Sequence, residues 1–163
     1  MKTLLILRHA KTQRDAPAGD HSRQLTERGL RDAAAMAGHI QTSIGMPDAI
    51  VTSDARRALQ TAEIVAGRVG LDKPLTVEPR IYAAGLKTLL AVVQDLPSDA
   101  DRVVLVGHNP GFEELAEALA ADREDIRLPT SGLAHLEFDV PSWDAVRPGG
   151  GRLREVATRH TIA

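Results

Sequence analysis

Two histidines stand where a chain of this kind has most use for them. Leu4-Leu5-Ile6-Leu7 runs straight into Arg8-His9, and Val103-Val104-Leu105-Val106 runs through Gly107 into His108. Such apolar runs read as strands buried on both faces, as in the middle of a parallel sheet. In open α/β sheets, ligands sit beyond the carboxyl ends of the strands. A guanidinium beside an imidazole at that edge has the chemistry of an anion site and of a nucleophile. A third junction, Ser53-Asp54-Ala55-Arg56-Arg57, puts arginines near the positive end of a helix dipole, a mild liability that a bound anion relieves. Each feature alone has a plainer reading: a polar strand end, a basic turn paired with Asp54, a histidine satisfying a loop carbonyl. Together at one sheet edge they would offer guanidiniums, two imidazoles and a helix start to a tetrahedral oxyanion. The two histidines invite a zinc reading too. No third protein ligand stands at suitable spacing, and the flanking arginines would repel a cation, so neither metal nor cofactor is expected.

The rest of the chain must position these groups. Residues 11–26 are polar, carry Pro17 and Gly19, and read as a surface loop whose usable groups are Asp20, His21 and Arg23. Thr26 is the expected N-cap of a helix with the apolar stripe Leu30, Ala33/Ala34, Ala37 and Ile40/Ile44, stopped by Pro47. Asp48–Thr52 reads as a strand. Ser53 reads as the N-cap of a second helix, from Asp54 to Val69, with Gly70 at its C-cap. A short strand over Leu75–Val77, a loop over Glu78–Tyr82 and a helix over Leu86–Leu96 precede the second histidine strand. After it, Asn109 as N-cap and Pro110 at the first helical position open a helix through about Ala121. The run Leu133–Val140 alternates more, which suits an edge or antiparallel strand, and Gly149–Gly151 turns into a closing strand near Leu153–Thr158. Strands alternating with helices make one α/β domain over 1–163, a three-layer α/β/α sandwich with a mostly parallel central sheet.

Composition narrows the function classes. The 163 residues suit one compact domain, large enough to bury roughly 70% of the unfolded chain's surface. Hydrophobic residues make up 43% but aromatics only 2%, so the core must be built from Leu, Val, Ile and Ala. A net charge of −2 argues against coating nucleic acid or lying on a membrane, and aromatic platforms for stacking bases are missing. With no cysteine there is no disulfide framework, thiolate metal site or cysteine nucleophile. No apolar run is long enough to cross a bilayer, and the start lacks the apolar core of a signal peptide, so a cytoplasmic location is expected.

The three junctions also carry a resemblance. Arg8-His9-Ala10 resembles the Arg-His-Gly (RHG) signature of the histidine phosphatase superfamily, which includes the cofactor-dependent phosphoglycerate mutases. Ser53-x-x-x-Arg57-Ala58-x-Gln60-Thr61-Ala62 looks like that family's second motif, and Gly107-His108-Asn109-Pro110-Gly111 like its second-histidine motif. The short SixA-type phosphohistidine phosphatases are most similar: they share the Arg-x-Leu-Thr element (Arg23–Thr26), the Thr130-Ser131 pair before a late strand, and the lack of a large lid insertion. The resemblance spans Leu4 to about Val140. It implies a phosphoglycerate mutase-like fold, with His9 as the nucleophile that takes the phosphoryl group. By the same resemblance Arg8, Arg57 and His108 bind the phosphoryl oxygens, with Arg23 and Asp20 as weaker candidates at the substrate rim. Physics agrees: a histidine nucleophile must be neutral, and nearby guanidiniums disfavour imidazolium.

One departure bears on substrate. Mutase-type members carry a glutamate acid in a segment written here Arg80-Ile81-Tyr82-Ala83-Ala84-Gly85, without a carboxylate; other members have aspartate where this chain has Asn109. The general acid is therefore missing or moved, with Asp20 the candidate. A phosphoramidate tolerates that loss better than an ester, because its leaving imidazole, with a free pKa of about 6.5, takes a proton near neutrality. Phosphohistidine in a protein, releasing inorganic phosphate, is the expected substrate. A broad or small-molecule phosphomonoesterase and a non-catalytic phosphate-binding module are the alternatives. His39, His135 and His160 are expected to be structural.

Overall fold

The computed structural model describes residues 1–122 and 125–163. Its centre is β1 (Lys2–Arg8), in which Leu4, Leu5, Ile6 and Leu7 are wholly buried. Around it the sheet has the order β3-β2-β4-β1-β5-β6, with β2 (Ala49–Thr52), β3 (Thr76–Val77), β4 (Arg102–Gly107), β5 (Leu133–Phe138) and β6 (Gly151–Ala157). The pairs β1–β4, β4–β2 and β2–β3 are parallel; β5 runs antiparallel to both β1 and β6.

Side chains alternate across a strand, so β1 and β4 feed two cores. Leu4, Ile6, Val103 and Leu105 pack with Leu89 and Val92 of α3 (Leu86–Gln94), and with Phe112 and Leu115 of α4 (Gly111–Leu119). On the other face Leu5, Leu7, Val104 and Val106 meet Met36 and Ala37 of α1 (Glu27–His39), together with Ala58, Ala62 and Val65 of α2 (Arg56–Val69). This is the three-layer sandwich that the pattern of elements predicts. Both faces of the central strands are covered, which is why those strands carry unbroken Leu, Val and Ile.

Several local expectations need correction. Leu30 is 44% exposed and leaves the buried stripe. The first turn of α1 rests Gly29 directly on the Lys11 carbonyl, where a Cβ would collide, so the next residue turns about 100° away toward water. Beyond His39 the helix widens into a π turn over Ile40–Ile44 before Pro47. α2 starts at Arg56 with Ala55, not Ser53, at its N-cap; the Ser53 hydroxyl accepts from Ala55 N–H just ahead of the first turn and also lies 2.8 Å from His108 Nε2. Pro110 is the N-cap of α4 and not its first helical residue; Asn109 still accepts a bond, from Glu113 N–H at 3.3 Å. α3 stops at Gln94 and α4 at Leu119, both short of the expected ends. β5 is antiparallel as its alternation suggests, but it lies inside the sheet; β6 and the two-residue β3 are the edges.

Gly107 joins the fold to the chemistry. A Cβ there would come within 2.5 Å of the Phe112 ring and 2.7 Å of Ile81, at the last residue before His108. Overpacking of that kind costs about 1–3 kcal/mol. Gly107→Ala is therefore expected to lose stability of that size in urea unfolding at unchanged m-value; a variant as stable as the parent would show that the contact relaxes freely.

Candidate active site

β2, β4 and β1 lie side by side and parallel, so their carboxyl ends share one edge. In the ladders Arg8 stands opposite Gly107 and Thr52 opposite Val106. The bonding continues one step beyond the strands: His9 N–H donates to the Gly107 carbonyl and Ser53 N–H to that of Val106, each at 3.0 Å. His9, Ser53 and His108 therefore emerge together, and the two imidazole rings lie 5.3 Å apart, centre to centre, tilted by 52°.

α2 explains why the second motif reads as it does. Ala58 and Ala62 are small enough to seat the helix on the sheet, with no exposed area. Thr61 donates from Oγ1 to the Arg57 carbonyl and accepts from Ala10 N–H at 3.1 Å, tying the residue after His9 to the helix. Gln60 accepts from Leu25 N–H at 2.8 Å and so anchors the end of the first loop. Arg57, in the first turn, then reaches the site and is only 5% exposed.

The ring of His9 is fixed by its own neighbour. Nδ1 lies 2.8 Å from the Ala10 carbonyl oxygen, which only accepts, so Nδ1 carries the proton and Nε2 keeps a free lone pair. Burial, with Arg57, Arg8 and Arg23 adding their charge, pushes the His9 pKa down to about 4, against the upward pull of the Ala10 bond. His108 is pushed to about 3, first by burial and then by His9 and Arg57. Both rings are neutral at physiological pH. The state a nucleophilic histidine needs is the state this environment imposes.

Several buried polar atoms at this edge lack a hydrogen-bond partner among the described residues: Arg8 Nε, Arg57 Nε, His108 Nδ1 and Ser131 Oγ. Buried donors are normally satisfied, so unsatisfied ones gathered at one place call for a ligand rich in acceptor oxygens. Arg8 is held by a bond from Nη1 to the Leu128 carbonyl at 3.1 Å, and Ser131 N–H donates to the His9 carbonyl at 3.0 Å. A cavity of about 290 Å³ lined by Arg8, His9, Lys11, Arg23, Arg57 and His108 opens here. A second of about 520 Å³, lined by Asp20, Tyr82, Ala84, Gly85, Pro110 and Glu114, shares Arg57, His108 and Asn109 with it. Among the described residues, no three His, Asp or Glu side chains are grouped to hold a metal ion.

The two rim candidates act on Arg57 and the loop. Asp20 takes both ends of the Arg57 fork, its carbonyl oxygen accepting from Nη1 at 2.8 Å and its carboxylate from Nη2 at 3.1 Å. The bond from Tyr82 OH, at 2.6 Å, followed by the Arg57 and Arg23 charges, lowers the Asp20 carboxyl to about 2. A carboxylate so firmly ionised carries no proton to give at pH 7. Arg23 lines the first cavity and bonds Asp20, Thr12 Oγ1 and the Gln13 carbonyl. Of the remaining histidines, His21 pairs with Asp54 at 3.2 Å, His39 with Glu155 at 2.6 Å, and His135 lies half-buried in β5, away from the site. Ser53, Tyr82 and Thr130 also belong to the surroundings, although the motifs that contain Ser53 and Thr130 assign them no role and Tyr82 lies in none. Ser53 reads equally well as a helix cap, and nothing local marks Tyr82 beyond its being the sole tyrosine.

Among the described residues, no helix is long and apolar enough to cross a membrane. The family model for the histidine phosphatase superfamily (branch 1) matches residues 4–82. An uncharacterized protein of Mycobacterium tuberculosis is 32% identical over 152 residues, covering 88% of this chain and 93% of the relative. A candidate phosphohistidine phosphatase SixA from Nakamurella multipartitia superposes with a TM-score of 0.85 at 26% identity, over 99% of this chain and 97% of that one. A second, from Agrobacterium tumefaciens, gives 0.79 at 29% identity over 96% and 97%. The chain therefore belongs to the histidine phosphatase superfamily of hydrolases, with the fold of its SixA-like members.

Proposed function

We propose that the protein is a phosphatase that works without a metal through a phosphohistidine on His9, and that its substrate is phosphohistidine carried by another protein. The observation that carries this reading is the fixed, neutral His9 ring, with its proton spent on Ala10 and its Nε2 lone pair free among unsatisfied donors. In the first step Nε2 attacks phosphorus and the bond from phosphorus to the substrate's nitrogen breaks. The departing imidazole takes a proton from solvent. In the second, water attacks phosphorus, the bond to Nε2 breaks, and inorganic phosphate leaves. Arg8 Nε, Arg57 Nε and His108 stabilise charge on the phosphoryl oxygens, which is most of what phosphoryl transfer asks of a protein.

The larger cavity favours the substrate class. It shares Arg57, His108 and Asn109 with the smaller one, and its lining adds two carboxylates, Asp20 and Glu114, to small side chains and Pro110. A leaving group that becomes cationic on protonation suits two carboxylates. One bearing its own carboxylate or second phosphate does not. Asp20 enters this reading as an anion that holds Arg57 and meets the leaving group, rather than as a proton donor.

Incubation with a phosphohistidine peptide, quenched in alkali, is expected to leave acid-labile phosphate on the protein that is absent from His9→Ala. Turnover of a phosphosugar with none of the peptide would overturn the substrate assignment. Arg57→Ala is expected to lower kcat roughly 10²–10³-fold, the usual cost of one preorganised oxyanion donor. In ring-labelled protein, both His9 and His108 are expected to stay neutral on acidification past pH 5, with His9 titrating near 4; a midpoint near 6.5 for either would remove the electrostatic basis of the mechanism. The unfolded chain binds protons at these rings from about pH 6.5 downward while the native chain does not, so thermal stability should fall between pH 6.5 and 4.

A further inference from the structure

His108 Nε2 lies 2.8 Å from Ser53 Oγ, and both residues are buried. The same hydroxyl oxygen accepts from Ala55 N–H at 3.2 Å, at the start of α2. A serine hydroxyl has one proton to donate, and the neighbour left to receive it is His108 Nε2. We propose that Ser53 is a positioning residue: its hydroxyl donates to Nε2 and holds His108 as the tautomer whose proton sits on Nδ1.

The reverse arrangement fails twice. Were Nε2 the donor, the Ser53 proton would be buried without an acceptor, an arrangement that folded proteins avoid. Nδ1 would then present a lone pair to phosphoryl oxygens and repel them. With Ser53 donating, the one unsatisfied ring atom is an N–H, and a phosphoryl oxygen completes it. A neutral imidazole thereby does what would otherwise need an imidazolium, at a place where burial and the guanidiniums exclude the charged form. Ser53 is itself held rigidly, since its N–H donates to Val106 and its carbonyl accepts from Thr52 Oγ1 at 3.0 Å. The chain Ala55 N–H to Ser53 to His108 thus runs from the start of α2 to the reaction centre, and one hydroxyl sets its direction.

The effect on catalysis rests on the phosphatase reading above, whereas the tautomer itself does not, so the two are tested apart. In protein labelled with ring-¹⁵N histidine near pH 7, His108 (identified by its loss in His108→Gln) is expected to show a protonated Nδ1 and an unprotonated Nε2. The opposite pattern overturns the proposal, whatever the enzyme's activity and without need of a Ser53 variant. Ser53→Ala is expected to shift the proton toward Nε2 and to lower kcat on p-nitrophenyl phosphate roughly ten- to a hundredfold, less than deleting a donor outright. Ser53→Thr, which keeps the hydroxyl, should restore both. A folded Ser53→Ala protein with Nδ1 still protonated or kcat unchanged would show that something other than Ser53 fixes the ring. Absence of activity in the parent, with the expected tautomer present, would count against the phosphatase reading alone.

Discussion

Hydrogen bonds pair β1 with β4 from Thr3 against Arg102 through to Arg8 against Gly107, and that register places the chemistry. A slip of one residue would turn Leu4 and Ile6 toward the wrong core and move His9 to the opposite face of the sheet. The slip is prevented by burial on both sides: each core takes alternate residues of β1 and β4, and α1 with α2 is not interchangeable with α3 and α4. The closeness of two imidazoles nearly a hundred positions apart in sequence thus follows from hydrophobic packing several residues away. The candidate site is the rim of a well-determined core.

What gathers at that rim is electrostatically awkward. Two guanidiniums and two imidazoles sit in a largely desolvated cluster in which Arg8, His9 and His108 all have depressed pKa values, chiefly through burial. The rings answer by giving up their charge. Arg57 answers by pairing with Asp20, while Arg8 Nε and Arg57 Nε have no partner among the described residues. Such an arrangement is poor at stabilising the empty protein and good at receiving an anion. Strain of this kind is found where function outweighs stability.

Much of this could be read in the residues, and what could not has physical reasons. Uninterrupted Leu-Leu-Ile-Leu and Val-Val-Leu-Val runs announce strands covered on both faces, and the sheet that holds them is mostly parallel. The convergence of Arg8, His9, Arg57 and His108 was legible because each follows such a strand or opens the helix after one. Details of caps and faces were not. Leu30 has the spacing of a core residue, but the contact of Gly29 with Lys11 decides which side of α1 faces in, and that partner lies in a loop with no periodicity of its own. Ser53 has every local mark of an N-cap; only the arrival of His108 from 55 positions away gives its hydroxyl another use. Asp20 reads as a stand-in acid until Tyr82 and Arg57 are found around it. In each case the deciding neighbour is distant in sequence, where propensity and pattern carry no information.

The grip of Asp20 on Arg57 has a consequence for turnover. Both ends of the fork are occupied by one loop residue before any substrate arrives, so the guanidinium has lost its rotational freedom during folding and need not lose it again on binding. The same pairing spends part of its positive charge. An arginine left bare beside Arg8 would clutch a phosphate dianion and slow its departure; one already half-neutralised keeps its aim while loosening its hold. An enzyme whose last act is to let inorganic phosphate go is better served by the second kind.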